Sequence, residues 1–413
     1  MKQPKQIDAV IVGGGPAGLA AAVALFDHGI ENIIILEREA QLGGILRQCI
    51  HDGFGLTRFS QTLSGPEYAQ RFIDAVEKRR IPYLLKASVL EVSADKTVTA
   101  ATRDGLMQWK AGAVILTMGC RERTRGALAI PGDRPAGVFT AGVVQAYINL
   151  YNRMPGKEVV ILGSGDIGMI MARRLTLEGA HVLGVFEVQP YPSGLPRNIQ
   201  QCLLDFDIPL HLSHTVTQIH GKSRLTGVTI SQVDDKMQPI PGTETFYPCD
   251  TLVLSVGLIP ENELTIDAGA VLDSRTKGAD VDENYQTSVP GIFAAGNVLH
   301  VPALVDFVSL EAERLAASVA VYLREHQLPC CPIPVIPGDG IGHVIPQHIS
   351  GQRDVSLSLR VNRPFENAAI VVRQQGRALC RKPLRKIAPA QMLELTVKAQ
   401  QIAPEQALEV SVE

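Results

Sequence analysis

Apolar positions recur along this chain in two ways. Most of the chain carries short unbroken apolar runs separated by stretches of helical spacing, and the tail alternates strictly. Ala9-Val10-Ile11-Val12, Ile33-Ile34-Ile35-Leu36, Ala113-Val114-Ile115-Leu116-Thr117-Met118-Gly119 and Val159-Val160-Ile161-Leu162 read as strands buried on both faces. So do residues 182–186, 251–260 and 291–297. Helices are expected over 20–28, stopped by Gly29, over 66–80 with a basic end, and over 166–178, stopped by Gly179. A long one is expected over 302–325, with Pro302 in its first turn, where a missing N–H costs nothing. Residues 83–99 and 102–110 read as short strands, 209–230 as further short strands and 234–245 as a polar hairpin. Cys330-Cys331 and the four prolines between 329 and 337 mark a boundary, with the paired cysteines as linker residues. Beyond it, Val355-x-Leu357-x-Leu359-x-Val361 has period two, and 369–373, 377–381, 392–397 and 408–412 add strands to a small β domain. The order predicts an α/β fold with parallel sheets.

Two of the apolar strands run directly into glycine turns. Gly13-Gly14-Gly15-Pro16-Ala17-Gly18 matches G-x-G-x-x-G, and Gly163-Ser164-Gly165-Asp166-Ile167-Gly168 matches it again. In such a turn the first glycine permits the tight bend. The second lets a pyrophosphate approach the backbone, and the third lets helix pack on strand. Each turn leads through a helix to a second strand ending in an acid, Glu37 or Glu187. Glu37 lies 19 residues past Gly18, and Glu187 lies 19 past Gly168. A carboxylate there can accept hydrogen bonds from a ribose. Strand, turn, helix, strand and acid thus occur twice in the same register, which points to two dinucleotide sites. The lysines and apolar run of residues 1–26 imitate a secretory signal, but glycines and a proline break the run and the nucleotide turn overlies it.

Composition narrows the setting. The chain has 413 residues, enough for two to three domains. Its net charge of −3 offers no global field for nucleic acid or an acidic membrane. Seven cysteines in so long a chain do not make a disulfide framework, so a reducing cytoplasm is the simplest home. The paired Gly43-Gly44, just after the first ribose acid, could let backbone pass close to a bound cofactor. Cys49 and His51 are the reactive types nearest that point: either a small buried thiol and a loop histidine, or side chains bordering a redox centre. No second cysteine lies within a few residues, so a local redox disulfide is not supported. The charged Arg121-Glu122-Arg123-Thr124-Arg125 reads as a solvated or ion-paired linker, with an arginine holding a phosphate or carboxylate as the alternative. The excess of arginine and lysine in the tail reads as a solvated face or a docking surface.

Nucleotide motif, second nucleotide motif, then Gly296-Asn297 before a long helix: this order resembles the two-dinucleotide-binding-domain flavoproteins, which include glutathione-reductase-like enzymes and NADH oxidases. The resemblance covers about residues 7–327. It implies FAD on the first motif, NAD(H) on the second, and a nucleotide domain inserted into the FAD domain. The expected division is 1–125 and 247–330 for FAD, 126–246 for NAD and 331–413 for the β domain. The FAD candidates are Gly13, Gly15, Pro16, Ala17, Gly18, Glu37, Arg38, Gly43, Gly44, Gly119, Gly296 and Asn297. The NAD candidates are Gly163, Gly165, Asp166, Ile167, Gly168 and Glu187. The family usually has aspartate at Asn297; asparagine keeps an acceptor oxygen and lacks the charge.

Gly43-Gly44-Ile45-Leu46-Arg47-Gln48-Cys49-Ile50-His51 stands where disulfide reductases carry their redox pair. That stretch, with Gly119-Cys120-Arg121-Glu122-Arg123 and the β tail, resembles bacterial flavoproteins encoded beside a glycerol-3-phosphate dehydrogenase. It is also similar to FAD/NAD-binding subunits of sarcosine oxidase and of opine and amino-acid dehydrogenases. The resemblance implies an FAD-dependent oxidoreductase that exchanges hydride with NAD(H) and passes electrons to a small acceptor or a protein, such as a partner flavoprotein dehydrogenase. The alternatives are a non-catalytic redox sensor and a subunit of an amine or amino-acid dehydrogenase. Cys49 and His51 are the catalytic candidates, and no metal is expected.

Overall fold

A computed structural model describes residues 3–301 and 304–413. The chain forms two compact units. One joins the chain up to Cys120 to the stretch from Pro260 onward, and the other is Arg121–Ile259.

The first unit is built on a parallel sheet. β1 (Lys5–Val12) lies between β2 (Ile33–Glu37) and the strand Gly105–Leu116, with Ala9 opposite Ile33 and Ala113. Tyr83–Leu85 extends the sheet beyond β2, and Ile292–Ala294 pairs with the far side of Gly105–Leu116. Alternate residues of β1 enter different layers, as strand geometry requires. Ala9 and Ile11 pack under α1 (Pro16–Asp27), α2 (Gly65–Arg79) and the helix Val305–Glu325, against Leu19, Tyr68, Phe72 and Leu315. Val10 and Val12 join Trp109, Val114, Val281 and Ile345 on the opposite face. Each such buried Leu, Ile or Phe contributes roughly 1.5–3 kcal/mol.

Two expected strands, 102–110 and 113–119, are one twelve-residue strand, Gly105–Leu116. Its early residues pair antiparallel with Thr97–Thr102 and its later ones parallel with β1 and Ile292–Ala294, so one strand serves three neighbours. Gly112 lets the strand pass close to its neighbour, because a Cβ there would fall 2.9 Å from Asp8 O. α2 opens with a capping box, in which Glu67 Oε2 accepts from Ser64 N at 2.8 Å. The long helix begins at Val305, and the expected first-turn Pro302 lies outside the described residues.

The second unit repeats the plan. Its parallel sheet runs Val138–Thr140, Thr251–Leu254, Glu158–Leu162, His181–Glu187, Leu210–Leu212. Val159 and Ile161 face the helix layer with Met169 and Leu175, while Val160 and Leu162 face Val228 and Ile230 of an antiparallel sheet. The expected strand over 251–260 stops at Leu254, because Val256 leads into Gly257 at φ +99°. Thr251–Leu254 pairs with Glu158–Leu162, so the second unit extends past residue 246 to Ile259. The helices Ala141–Asn149 and Pro196–Cys202 lie outside the expected elements, although Ala141, Val144 and Ile148 stand at helical spacing and are buried. Arg125, from the charged cluster, donates to Ile130 O and Gly132 O rather than standing free in solvent.

The tail of the first unit has its own core. Val355–Val361 buries Val355, Leu357, Leu359 and Val361 and turns the residues between them outward. It pairs with Leu393–Val397 and Ile341–Ile345. Phe365–Gln374, Arg377–Ile387, Leu408–Val412 and Ile333–Pro337 form a second sheet. The proline-rich boundary is therefore shorter than expected, since Pro334 and Pro337 already belong to a strand.

Candidate nucleotide sites

The first glycine turn is crowded on one side and open on the other. Gly13 has φ +107°, and a Cβ there would lie 2.5 Å from Thr117 O. A Cβ on Gly18 would fall 1.9 Å from Gly13 O, so only glycine lets α1 start against the turn. Gly15 differs: the nearest atom to a Cβ would be Gly44 Cα at 3.9 Å. Gly15 caps α1 in extended backbone with no side-chain hydrogen bond, and Pro16 stands in the first turn ahead of Ala17. No side-chain hydrogen bond therefore caps the first N–H groups of α1, the arrangement found at helix starts that bind anions.

The surrounding backbone braces this turn. Glu37, 6% exposed, accepts Gly14 N at 2.7 Å and Glu39 N at 2.8 Å. Each carboxylate oxygen keeps a lone pair for a further donor. Arg38, next to it, is exposed. Gly43 N donates to Gly14 O at 2.8 Å, and a Cβ on Gly44 would lie 3.0 Å from Gly15 Cα. The paired glycines therefore let the following loop lie against the turn itself.

Two further turns meet here because their strands are neighbours: Leu116 pairs with Ala294. Gly119, at φ +77°, leads to Cys120, whose Sγ is 3.5 Å from Asn297 Nδ2. Gly296 has φ +76°, and a Cβ there would sit 3.1 Å from Ala17 Cβ. Gly13–Gly18, Gly119, Gly296 and Asn297, far apart in the chain, are thus gathered at the carboxyl end of one sheet, where open α/β sheets bind ligands.

Cys49 and His51 are half-buried on the loop that follows the paired glycines. Cys49 Sγ lies 3.4 Å from Ile45 O, and Cys49 O accepts Gly65 N at the start of α2. Burial pushes the Cys49 thiol up to about 12, so it is protonated at neutral pH and a poor nucleophile. His51 Nδ1 is 3.1 Å from Asp52 O, and its ring lies 5.0 Å from Phe54. The loop that follows is held by a residue that no sequence motif marks. Asp306, 1% exposed on the long helix, accepts Gly55 N at 3.0 Å and Arg58 N at 2.8 Å.

The second unit repeats the first turn closely. Gly163 has φ +98°, and a Cβ there would lie 2.1 Å from Ser255 O. A Cβ on Gly168 would meet Ser255 Cβ at 2.7 Å, whereas one on Gly165 would meet nothing closer than 3.4 Å. Glu187, 4% exposed, accepts Ser164 N, Ser164 Oγ and Ser193 Oγ on one oxygen and Gln189 N on the other, at 2.6–3.0 Å. Asp166 is engaged elsewhere, accepting Leu195 N at 2.8 Å and Asn198 Nδ2 at 2.6 Å, and Ile167 is half-buried. Thr117 and Ser255, which close the two turns, were not singled out in the sequence. Both carry a readable signal, a hydroxyl residue two before the glycine that ends an apolar run: Thr117-Met118-Gly119 and Ser255-Val256-Gly257.

Two such turns on two doubly layered units define a class. The chain belongs to the pyridine nucleotide-disulphide oxidoreductase family, whose model matches residues 7–312. It is an oxidoreductase of the kind that uses FAD and NAD(P)H. It is similar to the hydrogen cyanide synthase subunit HcnB of Pseudomonas protegens, 28% identical over 71% of this chain and 66% of that one. It is also similar to an opine oxidase subunit from Agrobacterium tumefaciens, 26% identical over 70% of this chain and 61% of that one. This chain thus spans less than two thirds of the length of both. The thioredoxin reductase of T. acidophilum shares the fold, with a TM-score of 0.63 and 26% identity over 77% of this chain and 98% of that one. No helix among the described residues is long and apolar enough to cross a membrane.

Proposed function

We propose that the first unit holds FAD on the Gly13–Gly18 turn, the second holds NAD(H) on the Gly163–Gly168 turn, and the chain exchanges electrons with a partner. The observation that carries this is the repeated pattern of a crowded first and third glycine around an open second one. That pattern suits a pyrophosphate lying against Gly15 and Gly165 and the N–H groups of the helix starts. Glu37 and Glu187 offer their remaining lone pairs to ribose hydroxyls. Asn297, at the carboxyl end of the same sheet, offers an amide to the ribityl or phosphate region of FAD. When bound, the two cofactors supply the chemistry, a hydride passing between nicotinamide and flavin. Buried Glu187 repels a 2′-phosphate, which favours NADH over NADPH; equal affinity for the two would refute this.

Burial holds the Cys49 thiol protonated, which supports an external acceptor over thiol chemistry at that position. HcnB and the opine oxidase relative are both named as subunits, which supports a partner chain. The opine oxidase relative favours a second reading, in which the partner oxidises an amine and this chain receives the electrons. A partner tied to glycerol-3-phosphate oxidation rests on the resemblance alone.

The test is an anaerobic titration of the FAD-loaded protein with NADH and no acceptor. Bleaching of the flavin band is the expected result. Bound FAD that NADH leaves oxidised, but that an opine or another secondary amine bleaches once a partner chain is present, would establish the second reading instead.

A further inference from the structure

The turn that carries Asn297 is held from beneath by one side chain. Glu311, on the long helix, is 6% exposed. Its Oε1 accepts Gly296 N at 2.7 Å, and its Oε2 lies 2.7 Å from Nε2 of His300, itself 3% exposed. His300 N donates back to Gly296 O at 3.1 Å, and Leu299 N to the same oxygen at 2.9 Å. One carboxylate therefore grips both ends of the turn from Gly296 to His300. The tail closes over the far side. Arg360 Nη2 donates to Val301 O at 2.8 Å, and the His343 ring stands edge-on to His300 at 5.9 Å. Arg314, farther along the helix from Glu311, faces Glu394 of the tail at 3.7 Å.

This arrangement is a costly way to stabilise a fold. A buried carboxylate–imidazole pair must repay the desolvation of both groups, and an apolar pair of similar volume is often as stable. His300 Nδ1 and His343 Nε2 are also buried without a partner, which adds to the cost. What the pair achieves is placement. Gly296 is in left-handed backbone and packs toward Ala17 in the first turn of α1, so the height of this turn sets where Asn297 stands above the first glycine turn.

We propose that Glu311 is a positioning residue for the flavin nucleotide: through Gly296 N–H and His300 it holds the turn that presents Asn297 to the cofactor. The proposal rests on the reading that FAD occupies the first unit. It also makes the tail, through Arg360 and His343, part of the frame of that site.

The experiment compares the full-length parent with Glu311→Ala and Glu311→Gln. It measures the FAD dissociation constant, the visible spectrum of bound flavin and the melting temperature. The glutamine amide oxygen still accepts Gly296 N–H, and its NH2 can donate to His300 Nε2. Glu311→Ala is expected to weaken FAD binding about tenfold, the worth of one hydrogen bond to a charged group, and to change the flavin spectrum. Glu311→Gln is expected to restore both, as a purely structural role would not require. FAD binding and spectrum unchanged in Glu311→Ala would overturn the proposal, as would Glu311→Gln failing to rescue. If Glu311→Ala does not fold, Glu311→Asp serves instead, since one methylene fewer cannot reach Gly296 and His300 together. The same loss of affinity is then expected, and parental affinity overturns the proposal. A parent that binds no FAD would overturn the reading of the site and this inference with it. A parent that binds FAD beside an unaffected Glu311→Ala overturns the inference alone.

Discussion

Gly15→Ala separates the needs of the fold from those of the ligand. Gly15 has φ −80° and ψ −173°, which alanine adopts readily, and a Cβ there would lie 3.9 Å from its nearest neighbour, an ordinary contact. The unliganded protein should therefore be as stable as the parent, or slightly more stable, since Gly→Ala at a compatible site contributes about 0.4–1 kcal/mol through the unfolded chain. If the pyrophosphate lies against this backbone, the new methyl occupies space the ligand needs. Overpacking by one carbon typically costs about 1–3 kcal/mol, which raises the FAD dissociation constant roughly five- to 150-fold. Gly18→Ala is the control with the opposite signature, because its Cβ would sit 1.9 Å from Gly13 O and the turn must open to admit it. That variant should lose about 1–3 kcal/mol or more before any ligand is added. Urea unfolding of the cofactor-free protein and titration with FAD read the two effects separately. Gly15→Ala binding FAD within twofold of the parent would refute a close pyrophosphate at this turn. So would a loss of unliganded stability as large as that of Gly18→Ala.

Other consequences are equally direct. Burial, and then the nearby His300 and Arg360, push His343 from 6.5 down to about 3. The unfolded chain therefore binds a proton near pH 6.5 that the folded chain refuses until about pH 3, and stability falls as pH drops through that window, by roughly 1.4 kcal/mol per unit. His343→Leu should flatten this dependence; the same slope between about pH 6.5 and 5 in both proteins would show that His343 is not its source. Cys49 should resist alkylation by iodoacetamide at about pH 8 in the native protein and react after denaturation, because its thiol lies near 12. Rapid native labelling, located by mass spectrometry, would contradict that. Asp306→Ala leaves Gly55 N and Arg58 N without their acceptor and should lower stability by about 2–4 kcal/mol in urea unfolding, whereas a loss below about 0.5 kcal/mol would mean that solvent or another group takes its place.

Much of the site was legible because it is local. The strand, glycine turn, helix and acid occupy one contiguous stretch, and the same stretch recurs around Gly163 at equal spacing. The positive φ of Gly13 and Gly163 and the crowding of Gly18 and Gly168 follow from a tight turn entering a helix. The tail was equally open, since Val355, Leu357, Leu359 and Val361 announce a one-sided strand whatever packs against it. Errors arose where one segment answers to two partners. Gly105–Leu116 looked like two strands because its halves carry different patterns, one for an antiparallel neighbour and one for a buried parallel sheet.

The sequence by itself determined the two glycine turns, the α/β layering and the β tail, because backbone sterics and side-chain periodicity act over a few residues. Tertiary structure alone decided which distant groups complete each turn. Thr117 reaches Val12 O across 105 residues, Asp306 reaches Gly55 across 251, and Glu311 rises beneath Gly296 from another element. Sheet register and helix packing bring these groups together, and no spacing along the chain records it. Only the folded chain shows that the carboxylate of Glu37 already braces its own turn, and that the tail seals the far side of the turn carrying Asn297. Buried polar groups must find partners wherever packing provides them, and packing is a property of the whole unit.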